Sequence, residues 1–138
     1  MTAMTLAAAQ HALTAVLAAA RADVPIAAIV LDAGGHPVAF ARQDGASLFR
    51  FDIARAKATG ALGMGMDSRQ IAERAQGNPV FFTSVAVATG GALALSAGGV
   101  LIRDAASVPI GAIGVSGDNP DQDETCAMAG VATFQGDR

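Results

Sequence analysis

Residues 80–102 run for 23 positions without a charged side chain, enough apolar length to cross a bilayer as one helix. Two glycine pairs, Gly90-Gly91 and Gly98-Gly99, and the hydroxyls of Thr83, Ser84, Thr89 and Ser96 break that length into short strand-like pieces. The stretch therefore reads as the interior of a folded domain, and a membrane partner is not expected. With 138 residues there is room for one core, so residues 1–138 are expected to form a single domain. Hydrophobic residues make up 52% of the chain, nearly half of them alanine, which predicts a thin core. Charged residues reach only 15%, Trp and Tyr are absent, and the net charge of −3 comes without a Lys/Arg cluster. That composition excludes a disordered chain and a nucleic-acid binder. A lone Cys126 and no positive charge before Arg21 predict a reducing, cytoplasmic setting rather than an exported one.

The pattern predicts a helix over residues 5–22, capped by Thr5, with Leu6, Leu13 and Leu17 on one stripe. Its other side carries Ala8, His11, Ala12, Ala15 and Ala22 instead of polar residues, and a subunit contact is the expected cover. Residues 24–31 read as a central strand apolar on both faces, residues 32–37 as a hairpin connection and residues 38–42 as the partner strand. A second helix over residues 47–62, with Phe49, Ile53, Ala56 and Gly60 on one side, stops at Gly63-Met64-Gly65-Met66. Asp67-Ser68-Arg69-Gln70 resembles a capping box opening a short helix that Gly77, Asn78 and Pro79 close. After a segment at Phe81-Phe82, residues 92–96, 100–104 and 110–115 read as three strands. A last helix starts near Asn119-Pro120-Asp121 and runs to about Phe134. The order α-β-β-α-α-β-β-β-α with short turns predicts an α+β domain with one five-stranded antiparallel sheet flanked by helices.

No phosphate loop, nucleophile elbow or H-E-x-x-H zinc pair is present. The glycines at 111, 114 and 117 lie along a strand, where they suit close passage of a neighbouring helix or ligand better than a dinucleotide. Asp118, Asp121, Asp123 and Glu124 crowd a helix start without calcium-loop spacing, as the helix dipole favours, and Asp123 is placed to face inward. Lys57 falls just off the Ile53 side of its helix, so its ammonium needs a carboxylate or an anionic ligand. Arg42 ends the second strand. Each of these cations either pairs with Asp44, Asp52 or Asp123 or clamps a carboxylate group of a ligand. Only His11 and His36 carry imidazoles; His36 sits in a turn, while His11 either lines an interface or offers an axial ligand to a flat apolar group.

Four blocks in order carry a resemblance: residues 30–42 (VLDAGGHPVAFAR), residues 54–58 (ARAKA), Gly98-Gly99-Val100, and residues 110–117 (IGAIGVSG) followed by Asp123. Together they resemble the HbpS/GlcG haem-binding family, which includes the C-terminal domain of PduO-type corrinoid adenosyltransferases. The resemblance implies a profilin-like α+β fold, a homo-oligomer and, as in several members, bound haem. With no Tyr and no Cys-x-x-Cys-His, tyrosinate ligation and covalent attachment are excluded. His11 is the first candidate for the iron and Thr83 the second. The porphyrin is expected near Phe49, Phe81 or Phe82, with Arg42 or Lys57 meeting its propionates. The alternative is a cofactor-independent lyase or isomerase acting on a small organic acid, with Lys57 as base or carboxylate anchor and Asp123 as its acid–base partner. Both readings expect a cavity between sheet and middle helix in which Lys57 and Arg42 await an anionic guest.

Overall fold

The computed structural model describes residues 3–135. The first helix, α1 (Leu6–Ala19), begins where Thr5 accepts a hydrogen bond from the Ala8 N–H at 3.1 Å. Its buried side is Ala9, Ala12, Leu13 and Val16, whereas Leu6 is 55% exposed. The expected leucine stripe is thus turned partly outward. The reason is the close approach of α5 (Pro120–Gln135), where a Cβ added at Gly130 would lie 2.6 Å from Val16 Cγ2. Only small residues fit at that contact, so Ala12 is covered from within the same chain and needs no subunit to bury it.

Two strands, β1 (Ala27–Asp32) and β2 (Pro37–Arg42), form the expected hairpin, and β3 (Gly99–Arg103) and β4 (Pro109–Ser116) complete an antiparallel sheet in the order β2-β1-β4-β3. Strand β1 is central, as its two apolar faces require. Ala28, Val30, Val100, Ile102, Ile113 and Val115 face α1 and α5. On the other face Ile29, Leu31, Leu101 and Ala112 meet α2 (Arg50–Met64) through Ala54, Ala58 and Ala61. The buried side of α2 also carries Lys57 and Gly60, while the expected Phe49 stays exposed just outside the helix. Helix α2 ends at Gly65, whose φ of 72° is left-handed. The helix can lie this close because a Cβ at Gly114 would overlap the Ala54 carbonyl and one at Gly99 the Lys57 carbonyl.

Two further helices, α3 (Ser68–Gly77) and α4 (Pro79–Ala88), follow, so the observed order is α-β-β-α-α-α-β-β-α. The expected five-stranded sheet is corrected to four strands among the described residues. Phe81 and Phe82 belong to α4, and residues 92–96 form an irregular connection. A fifth strand has no edge to join on this side. Asp67 Oδ1 accepts from Leu101 N at 2.9 Å and Ser68 Oγ from Gly99 N at 2.7 Å, so the start of α3 occupies the outer edge of β3. Asp67 therefore serves the strand instead of closing a capping box. Leu93 instead joins Ile71, Ala75 and Phe82 in a satellite core with α3 and α4. No helix among the described residues is long and apolar enough to cross a membrane.

Candidate functional site

Lys57 and Asp123 come from helices on opposite faces of the sheet and meet beyond the end of β4. Lys57 Nζ donates to Asp123 Oδ2 at 3.0 Å and to the Val115 carbonyl at 2.9 Å. Asp123 Oδ1 accepts from Asp118 N at 2.9 Å. Their side chains are only 3% and 2% exposed. Burial lowers the Lys57 pKa, and the Asp123 charge restores it only in part. Burial likewise raises the Asp123 pKa against the pull of Lys57. A Cβ at Gly98 would sit 2.8 Å from Nζ, so the backbone closes over the ammonium. Two buried charges that satisfy one another this fully tie α2, β4 and α5 together. The expected cavity with Lys57 facing an anionic guest is corrected accordingly: the guest is Asp123.

Arg42 lies elsewhere, exposed beside an open cleft of about 590 Å³ with Asp23 and Asp44 on its rim. It shares no site with Lys57. Phe82 is buried in the satellite core and offers no contact surface to a ligand. Phe49 is exposed at the entry to α2, and Phe81 and Thr83 are exposed on α4. His11 is exposed on α1, across the sheet from α2 and α4. Within one chain His11 and Thr83 are thus alternative iron ligands and never joint ones. His36 is exposed with Nδ1 3.3 Å from Asp32 Oδ1, closing the β1–β2 turn. Among the described residues no three His, Cys, Asp or Glu side chains converge to hold a metal ion.

Helix α4 offers apolar surface to a flat ligand. It carries no charge over ten residues, and Phe82 is its one buried side chain. Val80, Phe81 and Val87 are 82%, 48% and 77% exposed. Positions 80, 83, 84 and 87 recur at helical spacing, so Val80, Thr83, Ser84 and Val87 share one exposed stripe. A second feature escaped the sequence reading. Between α2 and the α4–β3 connection lies a cavity of about 380 Å³ with Phe51, Asp52, Arg55, Thr59 and the Gly90-Gly91 turn on its walls. Its sequence signals were Arg55 in the ARAKA block, overshadowed there by Lys57, and Asp52, weighed only as a partner for Lys57 or Arg42.

A family described as haem degrading protein, HbpS-like, matches residues 4–132. Klebsiella pneumoniae protein ORFY is similar in structure, with a TM-score of 0.87 at 27% identity over 98% of this chain and 93% of its own. A doubly substituted Streptomyces reticuli HbpS gives 0.81 at 29% identity over 97% and 88% of the two chains. A haem complex of PduOC gives 0.84 at 24% identity over 96% and 95%, a likeness of fold. No curated protein matches the chain significantly.

Proposed function

Because the chain belongs to the HbpS-like family, we propose that it binds and handles haem, and that the porphyrin lies against α4. The observation that carries this reading is the uncharged helix with Val80, Phe81 and Val87 turned to solvent. Exposed apolar surface of this kind gains about 25 cal/mol per Å² when a ligand covers it. A porphyrin is flat and largely apolar, as such a surface requires. Thr83 sits on the same stripe and offers an oxygen to the iron. His11 reaches such a haem only from a second copy of the chain, which makes the homo-oligomer part of the reading. Bound there, haem would supply an iron centre; the chain's own residues hold its faces and exclude water from one side of it. The setting is cytoplasmic, in keeping with a single, buried Cys126. Lys57 and Asp123 satisfy each other out of reach of solvent, which favours haem handling over a lyase or isomerase that would use them as its acid–base pair.

Titration with haem, followed at the Soret band, tests the reading. Saturable growth of a shifted band is expected, with Thr83→Ala changing its position or intensity. With two chains sharing one haem, His11→Ala alters the band as well; a band unchanged by His11→Ala removes His11 from the iron. A spectrum that stays that of free haem at every ratio would overturn the proposal.

A further inference from the structure

Going beyond haem, we propose that the cavity between α2 and the α4–β3 connection binds a small zwitterion, an α-amino acid or a close analogue. The cavity holds about 380 Å³, within the range of small-molecule sites. Its polar wall is one turn of α2, where Asp52 and Arg55 stand three residues apart and so side by side. Among the described residues neither forms an ion pair, with the other or with anything else, and the Arg55 guanidinium donates no hydrogen bond. Arg21 and Arg69 are taken up by carboxylates, and Arg50 and Arg103 by Ser116 Oγ and the Ser107 carbonyl; Arg42 and Arg74 are unpaired as well among the described residues, but neither borders this cavity.

The remaining walls are apolar or small, with Phe51 from the same turn of α2 and the 89–92 connection across from it. The Phe51 ring is held edge-on by Phe40, with centroids 4.9 Å apart. At Gly90 and Gly91, with φ of 70° and 88°, an added Cβ would meet nothing within 4 Å, so the turn borders open space. Thr59 Oγ1 donates to the Ala92 carbonyl at 2.9 Å and fixes the connection to α2, which keeps the cavity's width set. A fork of five N–H donors suits a carboxylate, and a carboxylate acceptor beside it suits an ammonium. An anion alone leaves Asp52 repelling it, and a cation alone meets Arg55. A ligand carrying both charges satisfies both groups, while Phe51 offers a wall to its side chain.

Calorimetric titration of the full chain with the twenty amino acids at millimolar concentration tests this. Saturable binding of at least one is expected, weakened about tenfold or more by Arg55→Ala, since a hydrogen bond to a charged group contributes at least that much. Asp52→Ala should weaken the amino acid and tighten the analogue that lacks its amino group, which then meets Arg55 without a repelling carboxylate beside it. Both side chains are exposed and among the described residues neither makes a side-chain hydrogen bond or ion pair, so the variants should keep their fold, which the denaturation midpoint checks, and Arg42→Ala serves as a control without effect. Haem uptake by Arg55→Ala should match the parent. Absence of any saturable binding, or binding indifferent to Arg55→Ala, would overturn the proposal. So would an Arg55→Ala variant that loses haem and nothing else, since Arg55 would then be a propionate contact.

Discussion

Lys57 shows what one residue's chemistry dictates and where packing takes over. A lysine beside an apolar helix face must find a carboxylate or a ligand, and Asp123 is among the partners that its sequence position admits. That no room remains for a ligand depends on Gly98, Gly99 and Gly114 letting backbone close in around it, which no local pattern reports. Removing one partner strands the other charge. Lys57→Met is therefore expected to cost about 3–5 kcal/mol in urea denaturation, and Lys57→Met with Asp123→Leu to cost much less than the two single changes summed. The acid side of the pH profile has a different source. Hydrogen bonds from Arg21 lower the Asp118 pKa and the His36 backbone N–H lowers that of Asp32, both from an ordinary value of 3.8. A carboxylate with a depressed folded value binds fewer protons folded than unfolded, so its stabilisation is present above 3.8 and fades as pH falls through the folded value. Asp123, raised by burial, has the opposite sign: what it contributes is greatest when protonated and fades as pH rises. Urea midpoints should thus fall below pH 4, and Asp118→Asn should flatten that fall; a midpoint rising over this range would contradict the assignment.

At the scale of elements, turn and cap chemistry was readable while edge pairing was not. Thr5, the Asp32–His36 turn, Gly65 and Pro120 mark the boundaries they were expected to mark. Residues 92–96 have strand composition, but a strand needs a free edge, and Asp67 and Ser68 of the α3 start already hold that of β3. Helix α4 escaped because an uncharged ten-residue run whose polar side chains are only Thr83 and Ser84 has no clear period that separates helix from strand. The seating of α2 yields a further prediction. Gly114→Ala would drive a methyl into the Ala54 carbonyl and is expected to cost about 1–3 kcal/mol or more, read as a lower denaturation midpoint. By contrast, Val80→Asp and Val87→Asp face solvent and should stay within about 0.5 kcal/mol of the parent.

For the whole molecule, the sheet divides what one chain can do. α1 and α5 line one face and carry His11 outward, while α2, α3 and α4 occupy the other with Thr83, Phe81 and the Arg55 cavity. The four sequence blocks pointed to the family because they form the scaffold: the β1–β2 hairpin, the α2 segment that lies on glycine, the Gly98-Gly99-Val100 entry to β3, and β4. The proposed ligand surface sits outside those blocks, in α4, where composition alone left strand and helix open. That division also fixes the most direct test of haem seated on α4. Haem titration of a Val80→Asp/Val87→Asp variant, with its denaturation midpoint checked alongside, should show affinity weakened about tenfold or more at unchanged stability. A doubly substituted protein that takes up haem as tightly as the parent, with the same Soret band, would contradict the account.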